Sequence, residues 1–179
     1  MAGSDFIRAK RHGAFGARLR RLSEALDRQV QAIYRTYDSA FEPRWFPVIT
    51  ALSECGPLSV GELAALIGIT HVAVSQVSSE IKRAGLVRVT ADPNDRRRQV
   101  LELSAKGRAG VERLQPLWRA IARATEDLCA REAPHFLSEL DRIEEAVARK
   151  PLVTRVEAIL ETKPRALAKE KANARTPRA

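Results

Sequence analysis

The sequence predicts a mainly α-helical protein with one small β-hairpin. Over most of the chain, apolar residues recur every three or four positions, which is the period of an amphipathic helix. Between residues 86 and 103 the period changes to two on both sides of a turn sequence, as it does in paired strands. A chain of 179 residues is long enough for one domain with additional helices.

The composition is that of a folded protein without a membrane segment. Hydrophobic residues make up 45% of the chain and charged residues 30%, which excludes disorder over the whole length. No run approaches the ~20 apolar residues that a membrane span requires. The first residues lack an apolar signal segment, so we expect a cytoplasmic protein with no membrane partner.

The sequence predicts neither an enzyme nor a metal protein. It contains no Gly-rich phosphate loop, nucleophile elbow or metal-ligand spacing, and we expect no cofactor, no metal and no catalytic residues. The cysteines, Cys55 and Cys129, lie far apart, which argues against a disulfide scaffold and a zinc cluster. We expect both of them to pack in the core.

Basic residues concentrate in three parts of the chain. The net charge is +9 and the pI about 10.2, values typical of a protein that faces a polyanion. Residues 1–22 and 163–179 each hold six basic and one acidic side chain, and residues 80–108 hold eight basic and four acidic ones. The charge indicates a localised anion-binding surface, although a merely solvated surface has the same composition.

The N-terminal half predicts an arm followed by two helices. Residues 1–15 are basic and lack an apolar period, so we expect a loose, flexible arm. From Ala17 to Tyr37 a helical stripe carries Leu19, Leu22, Leu26, Val30 and Ile33. A second helix starts near Pro43 and Pro47 and ends at 56–57, a Gly-Pro pair.

Two further helices follow with clear end signals. Ser59 and Glu62 form a capping box before a short helix over Val60–Ile67, which ends at Gly68. Thr70 caps the next helix, which runs to residue 84 before a glycine.

The C-terminal half predicts a hairpin and more helices. Strands over 86–90 and Gln99–Leu103 are joined across the turn residues 92–95. Ser104 opens a long helix that Pro116 should kink or break. Further helices follow Pro134 and Pro151, and residues 163–179 read as a basic disordered tail.

The pattern over 60–77 is that of a helix-turn-helix. Two helices that cross steeply need a small residue at the crossing, here Ala64, and a tolerant turn, here Gly68. The expected shared core is Leu63, Ile67, Ile69, Val74 and Val77. The hairpin that follows makes the predicted unit a winged helix-turn-helix.

The second of these helices presents a polar face suited to a DNA major groove. Gln can pair with adenine, Ser can bond to base edges, and Val72 can meet a thymine methyl group. Ordinary solvent exposure is the alternative for each of them. The candidate DNA-contacting residues of this helix are Thr70, His71, Val72, Ser75, Gln76, Ser79, Lys82 and Arg83.

Three consecutive arginines lie at the hairpin turn. Arg96, Arg97 and Arg98 can enter a narrow minor groove or bind phosphates, and Asp95 is close enough to form a salt bridge with one of them. The alternative is a turn that only improves solubility.

Three segments resemble the MarR (multiple antibiotic resistance regulator) family. They are 41–47, 92–98 and 103–107, and the resemblance covers about residues 17–150. Its most specific part is an Asp-x-Arg wing followed by Leu-Ser-x-x-Gly at a helix start. By this resemblance Ser75 and Gln76 match recognition-helix positions, and Arg97 with Asp95 matches the wing-tip arginine.

The resemblance implies a homodimer that represses transcription. Residues 16–42 and 105–162 would form the helical dimerisation region, and 43–104 the DNA-binding domain on one half of a palindrome. Members commonly release DNA when a small, often aromatic, anion binds between these parts. Tyr37, Trp45 and Phe46 are candidates for such an effector pocket, although aromatic residues at helical spacing are more often core.

The function expected from these observations is that of a bacterial, homodimeric, sequence-specific transcriptional regulator in the cytoplasm, associated with the nucleoid. Its expected partners are double-stranded DNA, a second copy of the chain and a small aromatic or anionic effector. The alternative is a winged-helix protein-interaction module without specific DNA binding. The helix at 151–162 and the basic tail extend past the usual end of the family.

Overall fold

The computed structural model describes residues 5–37, 41–91 and 99–161 and is mainly helical, with one two-stranded antiparallel sheet. This confirms the predicted fold class. The elements in chain order are α1 (Phe6–Ala9), a 3-10 turn (Arg11–Ala14), α2 (Phe15–Tyr37), a second 3-10 turn (Pro43–Trp45), α3 (Phe46–Cys55), α4 (Val60–Ile67), α5 (His71–Arg83), β1 (Val87–Ala91), β2 (Gln99–Leu103), α6 (Ala105–Glu132) and α7 (Phe136–Arg149). A last helix, α8, covers 152–161.

The chain divides into two compact units, Met1–Trp118 and Arg119–Ala179. The hydrophobic core of the described residues lies in the first unit. In the second unit, no described residue is buried. There, Arg155 of α8 donates hydrogen bonds to the carbonyl oxygens of Ala146 (2.7 Å) and Lys150 (2.9 Å), which link α8 to the end of α7.

The predicted helix-turn-helix is present, with the end signals that its sequence carries. The Ser59 hydroxyl accepts from the Glu62 amide at 3.2 Å, and the Glu62 carboxylate accepts from the Ser59 amide at 2.8 Å. Gly68 ends α4 at φ 75°, a conformation that glycine adopts without strain. The Thr70 hydroxyl accepts from the Ala73 amide at 3.2 Å, and α4 and α5 meet at a bend of 116°.

The core of the first unit forms where α3, α4, α5 and the sheet meet. Leu63, Val74 and Ile81 are completely buried. Ala64, Ile67 and Val77 are partly buried against them, as predicted. The expected core position of Ile69 is wrong: this side chain is 42% exposed, because it lies in the turn between the two helices and belongs to neither buried stripe. Other buried members are Tyr34, Phe41, Trp45, Val48, Ile49, Leu52, Val87, Leu101, Leu103 and Leu114.

The predicted hairpin is present, and its first strand is shifted by one residue, to Val87–Ala91. Val87 pairs with Leu103 at the open end. Leu86 stays outside β1 because its amide bonds to the Ile81 carbonyl at 3.1 Å and its carbonyl accepts from the Ser104 amide at 2.9 Å. Leu58 forms an antiparallel bridge to Leu101 beyond the two strands.

The loose arm expected over 1–15 is wrong for its described part, since α1 and a 3-10 turn occupy residues 6–14. The reason is Asp5, whose carboxylate accepts from the Ile7 and Arg8 amides and from the Arg21 guanidinium of α2, at 2.8 Å for the closest pair of atoms. The hydrogen bond from Arg21, followed by that from the Arg8 amide, lowers the pKa of Asp5 from 3.8 to about 2.

Two smaller expectations are also corrected. Of the kink or break expected at Pro116, the break does not occur: α6 continues to Glu132, because Leu117 and Trp118 pack against the core directly after the proline. Cys55 is exposed at the last position of α3 instead of packing in the core, while Cys129 is partly buried. The helix after Pro151 is present.

Within the described ranges, no single helix is long and apolar enough to cross a membrane. The bent pair formed by α4 and α5 reaches that length and composition together.

Candidate nucleic-acid interface

The predicted reading face of α5 is exposed, and the opposite face is buried. Val74, Ser78 and Ile81 point into the core. The side chains at the candidate positions all lie on the exposed surface: Thr70, His71, Val72, Ser75, Gln76, Ser79, Lys82 and Arg83. The 100° rotation per residue therefore separates a packing face from a face available to a ligand.

Two hydroxyl groups at this surface already have partners inside the helix. Thr70 caps the first turn of α5, and Ser79 donates to the Ser75 carbonyl at 2.9 Å. Gln76 offers an amide with donors and an acceptor, and Val72 is an apolar side chain that is 66% exposed. The exposed face of α5 therefore combines hydrogen-bonding groups with an apolar side chain.

The C-terminal end of α5 is held by the start of α6. The Lys106 ammonium group donates to the Ala84 carbonyl at 2.7 Å, and the Ser104 hydroxyl donates to the Gly85 carbonyl, also at 2.7 Å. A cation at this end is favourable because the last carbonyl groups carry partial negative charge. These anchoring residues belong to the 103–107 motif, whose role in holding α5 was not predicted from the sequence.

A second anchor of α5, at Glu80, was also not predicted from the sequence. Glu80 of α5 accepts from Trp45 Nε1 at 3.0 Å and pairs with Arg44 Nε at 3.0 Å through the same carboxylate oxygen, Oε2. These residues are about 35 positions apart, so no local pattern connects them.

The wing is described only at its base. There Arg88 of β1 and Glu102 of β2 are directly paired and form a salt bridge at 3.0 Å. Asp95, Arg96, Arg97 and Arg98 lie outside the described residues.

The three candidate effector residues differ in exposure. Tyr37 is 71% exposed, Trp45 is buried and Phe46 is 40% exposed. Trp45 and Phe46 belong to an aromatic cluster with Phe41 and Trp118, whose neighbouring ring centroids lie 5.1 to 5.8 Å apart.

Tyr34 completes this aromatic cluster. Its hydroxyl accepts from Trp118 Nε1 at 2.8 Å, and its ring centroid lies 5.0 Å from that of Phe41. Burial raises the pKa of the Tyr34 hydroxyl above its ordinary value, and the bond from Trp118 opposes that shift.

A cavity of about 90 Å³ lies beside the C-terminal end of α5. Its wall is mainly apolar, with two basic residues, Lys106 and Arg113, on the α6 side. The remaining lining residues are Phe41, Ile49, Ala84, Leu86, Gly107, Gly110, Val111 and Leu114. The cavity therefore connects the aromatic cluster, at Phe41, with the residues that anchor the end of α5.

Residues 41–98 match the model of the MarR family. YcgE of Bacillus subtilis, described as an uncharacterized HTH-type transcriptional regulator, is 35% identical over 78 residues, which cover 44% of this chain and 49% of that protein. The chain thus spans about half the length of the curated relatives it matches.

Solved structures of regulators match a longer part of the chain. The transcriptional regulator MOSR of M. tuberculosis, solved in complex with DNA, has a TM-score of 0.61 and 26% identity, covering 76% of this chain and 97% of that one. BpsR of Bordetella bronchiseptica has a TM-score of 0.56 and 26% identity, covering 73% and 91%. Residues 41–98 are therefore similar to the MarR family, and the chain has the fold of these transcriptional regulators, with the same helix-turn-helix and paired strands.

Proposed function

We propose that this protein is a homodimeric, sequence-specific DNA-binding repressor that reads a palindrome. One observation carries the proposal: α5 buries Val74 and Ile81 completely and exposes Ser75, Gln76 and Ser79 on its other face. A recognition helix requires this division, because its reading residues can enter a major groove only if the helix is held from behind.

The exposed residues divide into two groups by chemistry. Ser75 and Gln76 would bond to base edges, with Val72 against a thymine methyl group. The neutral Thr70 and Ser79, with His71 and the cationic Lys82 and Arg83, would lie at the phosphates, whose contacts orient the protein without reading sequence.

The wing would hold the adjacent groove. We place Arg96, Arg97 and Arg98 at the minor groove, where guanidinium groups gain from the negative potential, with Asp95 orienting one of them by a salt bridge. The salt bridge between Arg88 and Glu102 at the base of the hairpin supports a stable stem for such a wing.

Exposed apolar side chains support the homodimer. Phe15, Leu22 and Leu26 of α2 are each more than 40% exposed. In the second unit, Leu137 and Val147 of α7 and Leu152, Val156 and Ile159 of α8 are likewise exposed. A second copy of the chain would cover these faces and would place two half-sites about 10 base pairs apart.

A small aromatic anion is the proposed effector, since DNA binding by the similar BpsR is regulated by 6-hydroxynicotinic acid. The cavity beside α5 supplies apolar walls and the cations Lys106 and Arg113. At about 90 Å³ it is smaller than the ~150 Å³ cavity that holds benzene, so a ring must displace part of the wall. Lys106 also anchors α5, and its displacement would couple effector binding to release of DNA.

A repressor of this kind acts in the cytoplasm, on the nucleoid. Its DNA sites can be found by selecting bound fragments from the genome of its source and measuring the affinity for the selected and a scrambled duplex over a salt series. We expect log K to fall steeply with log salt for both duplexes and the selected one to bind at least ~10³-fold more tightly. Equal affinity for both, or no binding at physiological salt, would favour the protein-interaction module.

A further inference from the structure

We propose that Glu80 is a positioning residue that sets the orientation of the recognition helix by tying the side of its last turn to the 3-10 turn at Pro43–Trp45. The inference rests on the proposed function of α5 and adds a residue that does not itself face the DNA. It starts from the convergence of two donors, Trp45 Nε1 and Arg44 Nε, on one carboxylate oxygen of Glu80 at 3.0 Å each.

We call the bonds of Glu80 to Trp45 and Arg44 the Glu80 tether, and the position of Glu80 on the helix explains what this tether controls. Glu80 lies one turn after Gln76, at the flank between the buried stripe and the reading face. Its side chain is 23% exposed, whereas that of Arg44 is 63% exposed. Without Arg44, this carboxylate would face the DNA phosphates unneutralised beside the reading residues, so the ion pair also removes a repulsion.

Trp45 provides a rigid counterpart for the tether. Its indole is 8% exposed, and its ring packs edge-on against Phe41 with centroids 5.8 Å apart. Phe41 in turn contacts Tyr34 of α2 and Trp118 of α6. Because these aromatic rings are packed on several sides, the indole N–H has a fixed direction, and Glu80 can satisfy it in only one rotation of α5.

The remaining contacts of α5 do not specify that rotation as closely. Val74 and Ile81 bury apolar surface, and such contacts are not directional. Lys106 and Ser104 bind main-chain carbonyl groups directly after the helix, at Ala84 and Gly85, and contact no side chain of α5 through these bonds. The Glu80 tether is instead a side-chain contact within the last turn, and it joins one side of the reading helix to the aromatic cluster between α2 and α6.

The test compares the full-length wild-type protein with Glu80→Ala, Glu80→Gln and Trp45→Phe. Glu54→Ala is the matched control, because it removes one carboxylate from the exposed surface of α3 in the same unit. Two quantities are measured: the ratio of affinities for the selected and scrambled duplexes, and the hydrogen-exchange rate of α5 amides without DNA.

For Glu80→Ala we expect the affinity ratio to fall about tenfold and the α5 amides to exchange about tenfold faster, since a charged hydrogen-bond network is lost. Glu80→Gln keeps an acceptor for Trp45, so its affinity ratio and its α5 exchange rates should lie between those of Glu80→Ala and wild type. Trp45→Phe keeps the aromatic ring, and we expect intermediate values for it as well. Glu54→Ala should leave both quantities at their wild-type values. The buried Val74 and Ile81 keep α5 packed in every variant, which circular dichroism checks.

Unchanged α5 exchange in Glu80→Ala would overturn the proposal, and so would faster exchange with an unchanged affinity ratio. If the wild-type protein does not discriminate between the duplexes, the proposed DNA reading fails. The exchange rates of α5 then decide by themselves whether Glu80 holds the helix.

Discussion

The Cα atom of Gly107 lies directly against the carbonyl oxygen of Leu86. A Cβ atom added to Gly107 would overlap that oxygen and would approach Leu103 Cδ2 to 3.3 Å. The start of α6 is thereby packed against Leu86, the last residue before β1, next to the Lys106 and Ser104 anchors. The backbones of α6 and Leu86 can approach this closely only because Gly107 has no side chain.

Replacing Gly107 with Ala should therefore lower the free energy of unfolding by about 2 kcal/mol, because the added methyl group displaces backbone. The control is Gly110→Ala, where the nearest atom, Leu86 Cδ2, would lie at 3.9 Å. That variant should be unchanged or more stable by up to about 1 kcal/mol, since Ala favours helix. Urea denaturation measures the free energy of unfolding of both variants. Equal changes in Gly107→Ala and Gly110→Ala would contradict the close contact at Gly107.

Ser78 is 5% exposed, and its hydroxyl has no hydrogen-bond partner among the described residues. Ser78→Ala should leave stability unchanged or raise it by about 1 kcal/mol, because an unpaired buried hydroxyl costs desolvation energy. Ser79→Ala, at an exposed position on the same helix, should change stability by less than about 0.5 kcal/mol. A clear loss of stability in Ser78→Ala, measured by thermal unfolding, would show that its hydroxyl is paired.

Thr70 is both the cap of α5 and a candidate phosphate contact. Thr70→Ala should cost about 1 kcal/mol of stability, since the Ala73 amide loses its acceptor. Thr70→Ser keeps the hydroxyl and should retain most of the stability and of the DNA affinity. If the two variants unfold at the same temperature, the cap contributes nothing.

Gln76 and Arg97 have different proposed roles, which mutation separates. Gln76→Ala should reduce the affinity for the selected duplex by about 1–3 kcal/mol while leaving that for scrambled DNA nearly unchanged, because it removes a base contact. Arg97→Ala should weaken binding to both duplexes and reduce the salt slope by about one. Fluorescence anisotropy over a salt series measures both, and small, equal losses in the two variants would refute these roles.

The N-terminal segment should respond to acid at Asp5. Its pKa, lowered to about 2 in the folded protein, lies below the ordinary 3.8, so its stabilising contribution is present above pH 3.8 and is lost as the pH falls toward 2. NMR titration of the Asp5 carboxyl carbon should show this low pKa. In Arg21→Gln the pKa should return toward 3.8, and an unchanged value there would contradict the pairing.

The sequence alone determined the helix-turn-helix, the ends of its two helices and the division of α5 into two faces. Capping residues and glycines mark helix ends locally, as at Ser59, Gly68 and Thr70, and apolar periodicity identifies the side that packs. For these reasons, the predicted helix-turn-helix and the exposure of Ser75 and Gln76 agree with the structure. Local signals failed at Ile69, whose turn position lies outside any periodic stripe, and at residues 6–14, which depend on the pairing of Asp5 with Arg21.

Only the tertiary structure decided how α5 is held and where a cavity forms. The bonds of Glu80 to the 43–45 turn and of Lys106 to Ala84 join residues 22 to 36 positions apart, so no periodic pattern encodes them. The cavity beside Lys106 is lined by residues of α3, of the segment between α5 and β1 and of α6, which come together only in the folded chain. Such contacts arise from the packing of whole elements, which propensity and spacing do not specify.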